Sequence, residues 1–337
     1  MLVCGIDHHG NLAAMNALEK IVVTAGLSLV VGLSLLVFWP KEAAVEVDLR
    51  TVRIGTIGTS VSYAPFYAAK HNKKFEEAFA VYGYKVDYLT FENASDANHA
   101  FLNNQVDAIF EADLIPVILA KAQQIPVFIA GVSATYMEEL MVPWGSNIKT
   151  IDDMRTRKII MQPGTSNHFN LQKTLGGAGI NPNDYSTTTL SNHDAIIAMK
   201  NESMDGWATT SPTIELGELS RYMRALPKSN AKVHSLLVVR DAFKSGKSKA
   251  FADLIRVVNE AKTWVINNEM SAATLTADEL TMPVDVIRKA FLRHNWGARL
   301  DETAVNLMQP FADFLRDQKL ISTTVDIRSQ LIKNNLD

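Results

Sequence analysis

The stretch that decides the fold is Gln162-Pro163-Gly164-Thr165-Ser166-Asn167-His168. A short strand-like run over residues 158–161 feeds it, and a helical pattern leaves it through Phe169, Leu171 and Leu175. Pro and Gly punctuate the turn, and Thr165 or Ser166 stands where a hydroxyl caps a helix start. A helix beginning there leaves several backbone N–H groups without intrahelical partners, and the positive end of its dipole adds to them. Together they form an anion seat that needs no charged side chain. An ordinary capped strand-to-helix turn accounts for the same residues, so the stretch takes its meaning from its surroundings.

Outward from this turn, strand and helix patterns alternate with short connections, which predicts an α/β doubly wound sheet. Upstream, residues 51–57, 84–89, 106–110 and 127–132 read as strands, the last of them almost continuously apolar and so buried on both faces. Residues 63–70, 95–104 and 118–122 read as the helices between them, with Ser95 as the cap of the second. After Leu140-Met141-Val142-Pro143 the alternation restarts, with strands at 158–161, 187–190 and 205–209 and helices at 151–154, 167–175, 194–200 and 213–219. Residues 234–240 read as a return strand, and the remainder is helical over 251–267, 273–280, 283–294 and 303–317. One α/β unit over residues 51–138 therefore receives a second over residues 139–240, and a helical segment from 241 to 337 packs back on the first. Four strand ends carry small polar or acidic loops, at 59–62, 111–113, 165–167 and 209–211. Parallel sheets put such ends on one side, so two facing lobes bring all four to a shared cleft.

Composition narrows the function classes. The 337 residues are 47% hydrophobic and 20% charged, ordinary for two globular domains. Lys plus Arg number 33 against 36 Asp plus Glu, a net charge of −3 that gives no basic surface for nucleic acid. Cys4 is the single cysteine, which excludes an intrachain disulfide and a cysteine-based zinc cluster. His71, His99, His193, His234 and His294 form no H-x-x-x-H pair, and neither a P-loop nor G-x-G-x-x-G occurs. No metal or cofactor is expected. His168 beside Ser166 does not make a hydrolase, because neighbours in one turn are not a triad and no G-x-S-x-G elbow is present.

Compartment is suggested by residues 21–39, a run without a charged residue that follows Lys20 and ends at Pro40-Lys41. As a helix it extends roughly 28 Å, close to the thickness of a bilayer core. Two readings stand, an uncleaved signal anchor and a cleavable signal peptide; the run is longer than the usual apolar region of a secretory signal. Either places the bulk of the chain outside the cytoplasm, in the periplasm or its equivalent.

Several short pieces, in order and spacing, resemble a known family. They are Ile54-Gly55 with Tyr63-Ala64-Pro65-Phe66-Tyr67-Ala68-Ala69-Lys70, Val106-Asp107-Ala108 with Gln124-Ile125-Pro126-Val127, and Ile148-Lys149 with Ile151-Asp152-Asp153-Met154. The Gly164-Thr165-Ser166-Asn167-His168 turn and Met204-Asp205-Gly206-Trp207 complete the set. Over roughly residues 52–327 the chain resembles the periplasmic binding proteins of ABC importers for aliphatic sulfonates, taurine, nitrate and related small anions. The resemblance implies a two-lobed type II periplasmic binding protein, each lobe a mostly parallel sheet flanked by helices, that closes on a small-molecule solute by hinge motion. It implies partnership with an ABC permease and its ATPase, and binding without catalysis. It also implies a pocket of Thr59, Ser60 and Tyr63 from the first loop and Glu111 and Asp113 from the third strand end. Thr165, Ser166 and Asn167 would come from the second lobe, with Trp207, Thr209 and Ser211 opposite and Trp207 walling the apolar part.

Glu111 and Asp113 depart from that pattern, because carboxylates beside an anion cost affinity unless paired. They suit an amine or aromatic nitrogen on a zwitterionic or heterocyclic ligand, and Asp113 equally suits a helix cap. Two rival functions share the fold's logic, a membrane-anchored sensory domain acting through a partner and a pyrimidine-precursor binding protein or synthase. The absence of any cysteine after Cys4 removes the thiol chemistry that the synthase reading needs.

Overall fold

Two long antiparallel strands carry the architecture, β4 (Val127–Pro143) and β9 (Ala231–Arg240), paired from Val127↔Arg240 to Glu138↔Ala231. The computed structural model of the chain describes residues 50–331 apart from residue 112, so the apolar run at 21–39 lies outside the described residues. At about 3.3 Å per residue, the 17 residues of β4 extend roughly 56 Å, enough to pair with β9 along its first part and with β7 and β8 toward its end. The sequence predicts a strand ending at residue 132; the structure corrects this, because Ser133 sits at a bulge past which pairing resumes at Ala134, and Glu138 interrupts the apolar pattern without interrupting the ladder.

On one side of this pair, β1 (Thr51–Ile57) runs parallel to β2 (Lys85–Phe91) and to β3 (Ala108–Glu111), and β3 lies antiparallel to β9. On the other side, β4 pairs antiparallel with β7 (Gly206–Thr210), which is parallel to β5 (Lys158–Ile160), itself parallel to β6 (Ser186–Thr188). The short β8 (Met223–Ala225) pairs with the far end of β4. The result is one mixed sheet in the order β2-β1-β3-β9-β4-β7-β5-β6, in which two parallel halves are joined by two antiparallel strands.

Helices cover both faces of each half. In the first half these are α1 (Ala64–His71), α2 (Lys74–Ala80), α3 (Ala94–Leu102) and α4 (Ile115–Ala122). Five later helices join them: α8 (Asp241–Gly246), α9 (Ser248–Asn267), α10 (Glu269–Leu280), α11 (Val284–Phe291) and α12 (Glu302–Asp317). The second half carries α5 (Ser166–Gly177), α6 (Asn192–Lys200) and α7 (Thr213–Leu219). Caps follow the residue types, with one shift from expectation. Asn93 rather than Ser95 caps α3, its side chain accepting from Asp96 N–H at 3.0 Å.

Cores form where apolar residues alternate onto a common face. Val132 and Tyr136 join Ile109, Val117, Ile118, Phe311 and Leu315 in the core beneath α4 and α12. Leu140 and Val142, two and four residues on from Glu138 and so on the same face, join Leu171 and Leu175 beneath α5. Helix α5 therefore spans both cores, since Phe169 in its first turns packs on Phe311 at 4.3 Å and Phe314 at 5.2 Å. Among the described residues no helix is long and apolar enough to cross a membrane.

Candidate functional site

Parallel strands β1 and β3 of the first half and β5 and β7 of the second deliver their carboxyl ends toward the strip where β4 and β9 cross from half to half. The turn after β3 and the turn before α5 meet there. Asp113 Oδ1 accepts from Ile115 N–H at 2.9 Å and so caps the start of α4, one of the two roles its sequence position suggests. Its other oxygen crosses to the second half, where it accepts from Ser166 N–H at 3.0 Å and from the Ser166 hydroxyl at 2.7 Å. The carboxylate thus sits between the amino ends of two helices, where both dipoles favour negative charge. The anion seat expected at the amino end of α5 exists, and Asp113 fills it.

Two residues that sequence reasoning missed complete this centre. Glu138, 2% exposed on β4, makes a short contact with Ser166 Oγ and accepts from the Asn170 amide at 2.6 Å. Burial first and the Asp113 charge second push its carboxyl up to about 8. Tyr136, two residues earlier on the same face, also interacts with Ser166, and burial pushes its phenol well up. Glu111 is 1% exposed, and one of its carboxyl oxygens has no hydrogen-bond partner. Burial, then Asp113, holds its carboxyl well above the usual range. The signal for Glu138 was in the sequence as the first of an acidic pair between apolar residues, concealed by ending that strand six residues short of it.

On the other face, the loop after β1 brings Ser60 and Tyr63 into place. Tyr63 is fully buried and donates to Ile57 C=O at 3.0 Å, Ser60 Oγ accepts from Ser62 N–H at 3.2 Å, and Thr59 stays exposed. The Ser62 hydroxyl lies 3.2 Å from His294 Nε2, while His294 Nδ1 lies 2.8 Å from Ala290 C=O. A carbonyl only accepts, so Nδ1 carries the proton and Nε2 accepts from Ser62. This neutral imidazole stacks between Tyr136 at 5.7 Å and Trp296 at 4.9 Å, and burial pulls its pKa down to about 4.

The remaining expected residues divide. Thr165 caps α5 as predicted, accepting from His168 N–H at 3.4 Å, and Asn167 keeps a buried carbonyl oxygen without a partner. His168 accepts from Gly164 N–H through Nδ1 and faces Phe314, which leaves Ser166 to Asp113 and Glu138. Thr209 is buried on β7 opposite Glu139, and the Ser211 hydroxyl donates to Glu215 at 2.9 Å. Trp207 departs from expectation. It is 5% exposed and packs among Met141, Ile160, Met199, Ile214 and Tyr222, so its bulk fills the second half's core instead of walling a ligand.

A pocket of about 740 Å³ opens along α5, floored by Phe169 and Phe311 and rimmed by the exposed Lys149, Lys173, Lys228 and Lys232. Asn170 lines this pocket while its amide holds Glu138, so a basic rim and an acidic centre meet at one residue.

A model of the NMT1/THI5-like family matches residues 60–272. A protein of Escherichia coli (strain K12), whose name assigns it to aliphatic sulfonate binding, is 24% identical over 254 residues, covering 73% of this chain and 79% of that protein. A similarly named protein of Bacillus subtilis (strain 168) is 23% identical over 287 residues, 83% of this chain and 85% of the other. Among solved structures, the periplasmic aliphatic sulphonate binding protein SsuA from Escherichia coli superposes with a TM-score of 0.75 at 21% identity, over 86% of this chain and 94% of that one. The desulfurization enzyme DSZB has a TM-score of 0.65 at 14% identity, over 84% of this chain and 97% of that chain. The architecture is therefore the periplasmic binding protein fold, which hosts both binding and catalysis.

Proposed function

From the premise that the chain belongs to the NMT1/THI5-like family, we propose that it is the extracytoplasmic solute-binding component of an ABC importer. It captures a small sulfonate-like solute between the two halves of its sheet and hands it to a permease driven by an ATPase. The observation that carries this reading is the pair β4 and β9. Two adjacent strands are the covalent and hydrogen-bonded bridge at which residues 51–138 with 241–331 swing against 139–240, and helix starts from both sides meet beside that bridge. The sulfonate-binding names of both relatives support the solute class, and the likeness to the periplasmic sulphonate binding protein supports a periplasmic location.

In the arrangement observed, Asp113 and Ser166 join the two halves by direct hydrogen bonds. Opening breaks that contact and exposes the donors of Ser166 and the loop after β1; the solute re-forms the bridge through itself. Binding rather than turnover fits the residues at the centre, because the serine there hydrogen-bonds two acids while His168 turns to Gly164.

Calorimetric titration of the purified chain with taurine, short alkanesulfonates and nitrate tests the proposal. At least one sulfonate is expected to bind with a dissociation constant on the order of micromolar, about −8 kcal/mol. Chemical conversion of the solute, or no heat with any of them, overturns it.

A further inference from the structure

We propose that the lysine-rimmed pocket along α5 is a second ligand site, separate from the solute's, which takes a compact organic polyanion with an apolar body and clamps the two halves together. Its lining is drawn from both halves. Leu307 and Phe311 come from α12 in the first, Lys149, Asp152 and Lys173 come from the second, and Ala231 and Lys232 open β9, which crosses between them. None of the residues that the family resemblance implies for the solute pocket lines it. A guest here does not compete for Ser166 or for the loop after β1.

Charge selects the guest. The chain as a whole has a net charge of −3, yet this rim sets Lys149, Lys173, Lys228 and Lys232 against Asp152 alone. Among the described residues none of these four ammonium groups forms an ion pair, whereas Lys70, Lys74 and Lys289 meet Glu279, Glu77 and Glu218. One exposed ammonium gives little hold on one anion, because water and salt screen it. Several charges fixed on one rigid body gain from all the lysines at once and give up little conformational freedom.

The floor and the size set the rest. Phe169 and Phe311 pack at 4.3 Å between ring centres, and the Lys173 ammonium lies 5.7 Å from the Phe169 ring centre, so hydrocarbon and positive charge adjoin. A volume of about 740 Å³ falls within the range that small ligands occupy. The pocket also reaches the bridge between the halves. Asn170 lines it while its amide holds Glu138 at 2.6 Å, and Ala231, which lines it too, pairs with Glu138 across the β4–β9 ladder. A guest bound across α5, α12 and the start of β9 favours the arrangement in which they stand together. Resting on the importer reading, this makes the polyanion a positive effector of solute binding.

The probe is trimesate, a benzene ring bearing three carboxylates, titrated into the full chain by calorimetry at neutral pH and low salt. Benzoate, with a single charge, and citrate, with no ring, are titrated beside it. Trimesate is expected to bind about tenfold or more tightly than either, and to weaken about tenfold as salt rises from about 0.05 to 0.5 M. Lys173→Ala with Lys232→Ala, both exposed, should also weaken it about tenfold. Lys74→Ala with Lys85→Ala, which removes the same charge elsewhere on the surface, should leave it nearly unchanged. Trimesate binding no tighter than benzoate and citrate, or indifferent to the pocket lysines, refutes the site. Saturating trimesate should in turn tighten a sulfonate that binds by about threefold or more, and that sulfonate should tighten trimesate by the same factor. An unchanged sulfonate affinity refutes the clamp, and a weakened one refutes the second site by showing that the pocket is the solute's own. If no sulfonate binds, the importer reading falls while the trimesate titrations still decide the site.

Discussion

Replacing Arg293 by methionine is expected to cost about 3 kcal/mol of stability at pH 8, because it strands buried acids that lose their cation. The Arg293 guanidinium reaches Glu139 at 3.3 Å, Glu215 at 3.2 Å and Glu218 at 2.9 Å, and Glu215 has a fully buried side chain. The arginine follows α11 in the first half, whereas its partners stand on β4 and α7, so the cluster also fastens one half to the other. Burial, ahead of the arginine's opposing pull, raises the carboxyls of Glu139 and Glu215. Without Arg293 both rise further, and protons become an available substitute. The cost should therefore shrink at pH 5 to roughly half its value at pH 8, by proton linkage. Urea unfolding of both proteins at the two pH values measures it. A cost that does not change with pH, or one under about 0.5 kcal/mol, would show that the cluster is solvated and worth no more than a surface pair. Arg293→Lys should fall between, since an ammonium keeps the charge but cannot fork toward three acids.

How much of this was legible beforehand depends on the range over which each feature is encoded. Strand β1 and helix α7 match the sequence reading residue for residue, because alternation and punctuation are local. The α5 turn was legible as well, with Thr165 one of the two hydroxyls read as cap, since a hydroxyl before a helix has a local meaning. Strand β4 was not. Its polar residues Ser133, Glu138 and Glu139 are satisfied by Ser235, Asn170 and Arg293, partners 102, 32 and 154 residues away, and no window on the sequence shows a partner so distant. The centre was half visible for the same reason. Asp113 and Ser166 stood at strand ends and were singled out, but that they bond to each other across 53 residues was not. Trp207 was misread because the resemblance assigned it to the ligand wall, whereas its place inside β7 turns its bulk into the core.

Stability should stay nearly level from about pH 4.5 to 6.5, fall by about 2 kcal/mol or more between pH 6.5 and 8, and recover above pH 8. The sign follows from which state binds more protons. Glu138, with a folded pKa of about 8 against an ordinary 4.5, keeps its proton in the folded chain where the unfolded chain has lost it. Its contribution is fully present below pH 4.5 and is lost as pH rises through 8, and Glu111 acts in the same direction. His234 and His294 oppose this in the acid range. Buried and neutral with folded values near 4 against 6.5, they favour the folded state above pH 6.5 and lose that contribution as pH falls through 4. Between 4.5 and 6.5 the acids and the imidazoles offset one another, and above 6.5 only the acids still titrate. At about 1.4 kcal/mol per unit for each proton, Glu138 alone accounts for about 2 kcal/mol over that interval. Lys262 then reverses the slope. It donates to Val132 C=O at 2.7 Å, and burial holds its pKa near 8 against 10.5, so the folded state gains as the unfolded lysine approaches its own titration. The groups acting on Glu138 are Asp113, Ser166, Asn170 and the neighbouring Tyr136, none of them cationic. Glu138→Gln keeps a donor for Ser166 and an acceptor for Asn170 while removing the titration, so it should flatten much of the fall and stabilise the chain at pH 8. Thermal unfolding followed across pH 4.5 to 9.5 reads both curves. A wild-type maximum at pH 8, or a Glu138→Gln curve parallel to it, would mean that the acid on β4 is ionised in the folded chain and that the hydrogens around Ser166 are arranged otherwise.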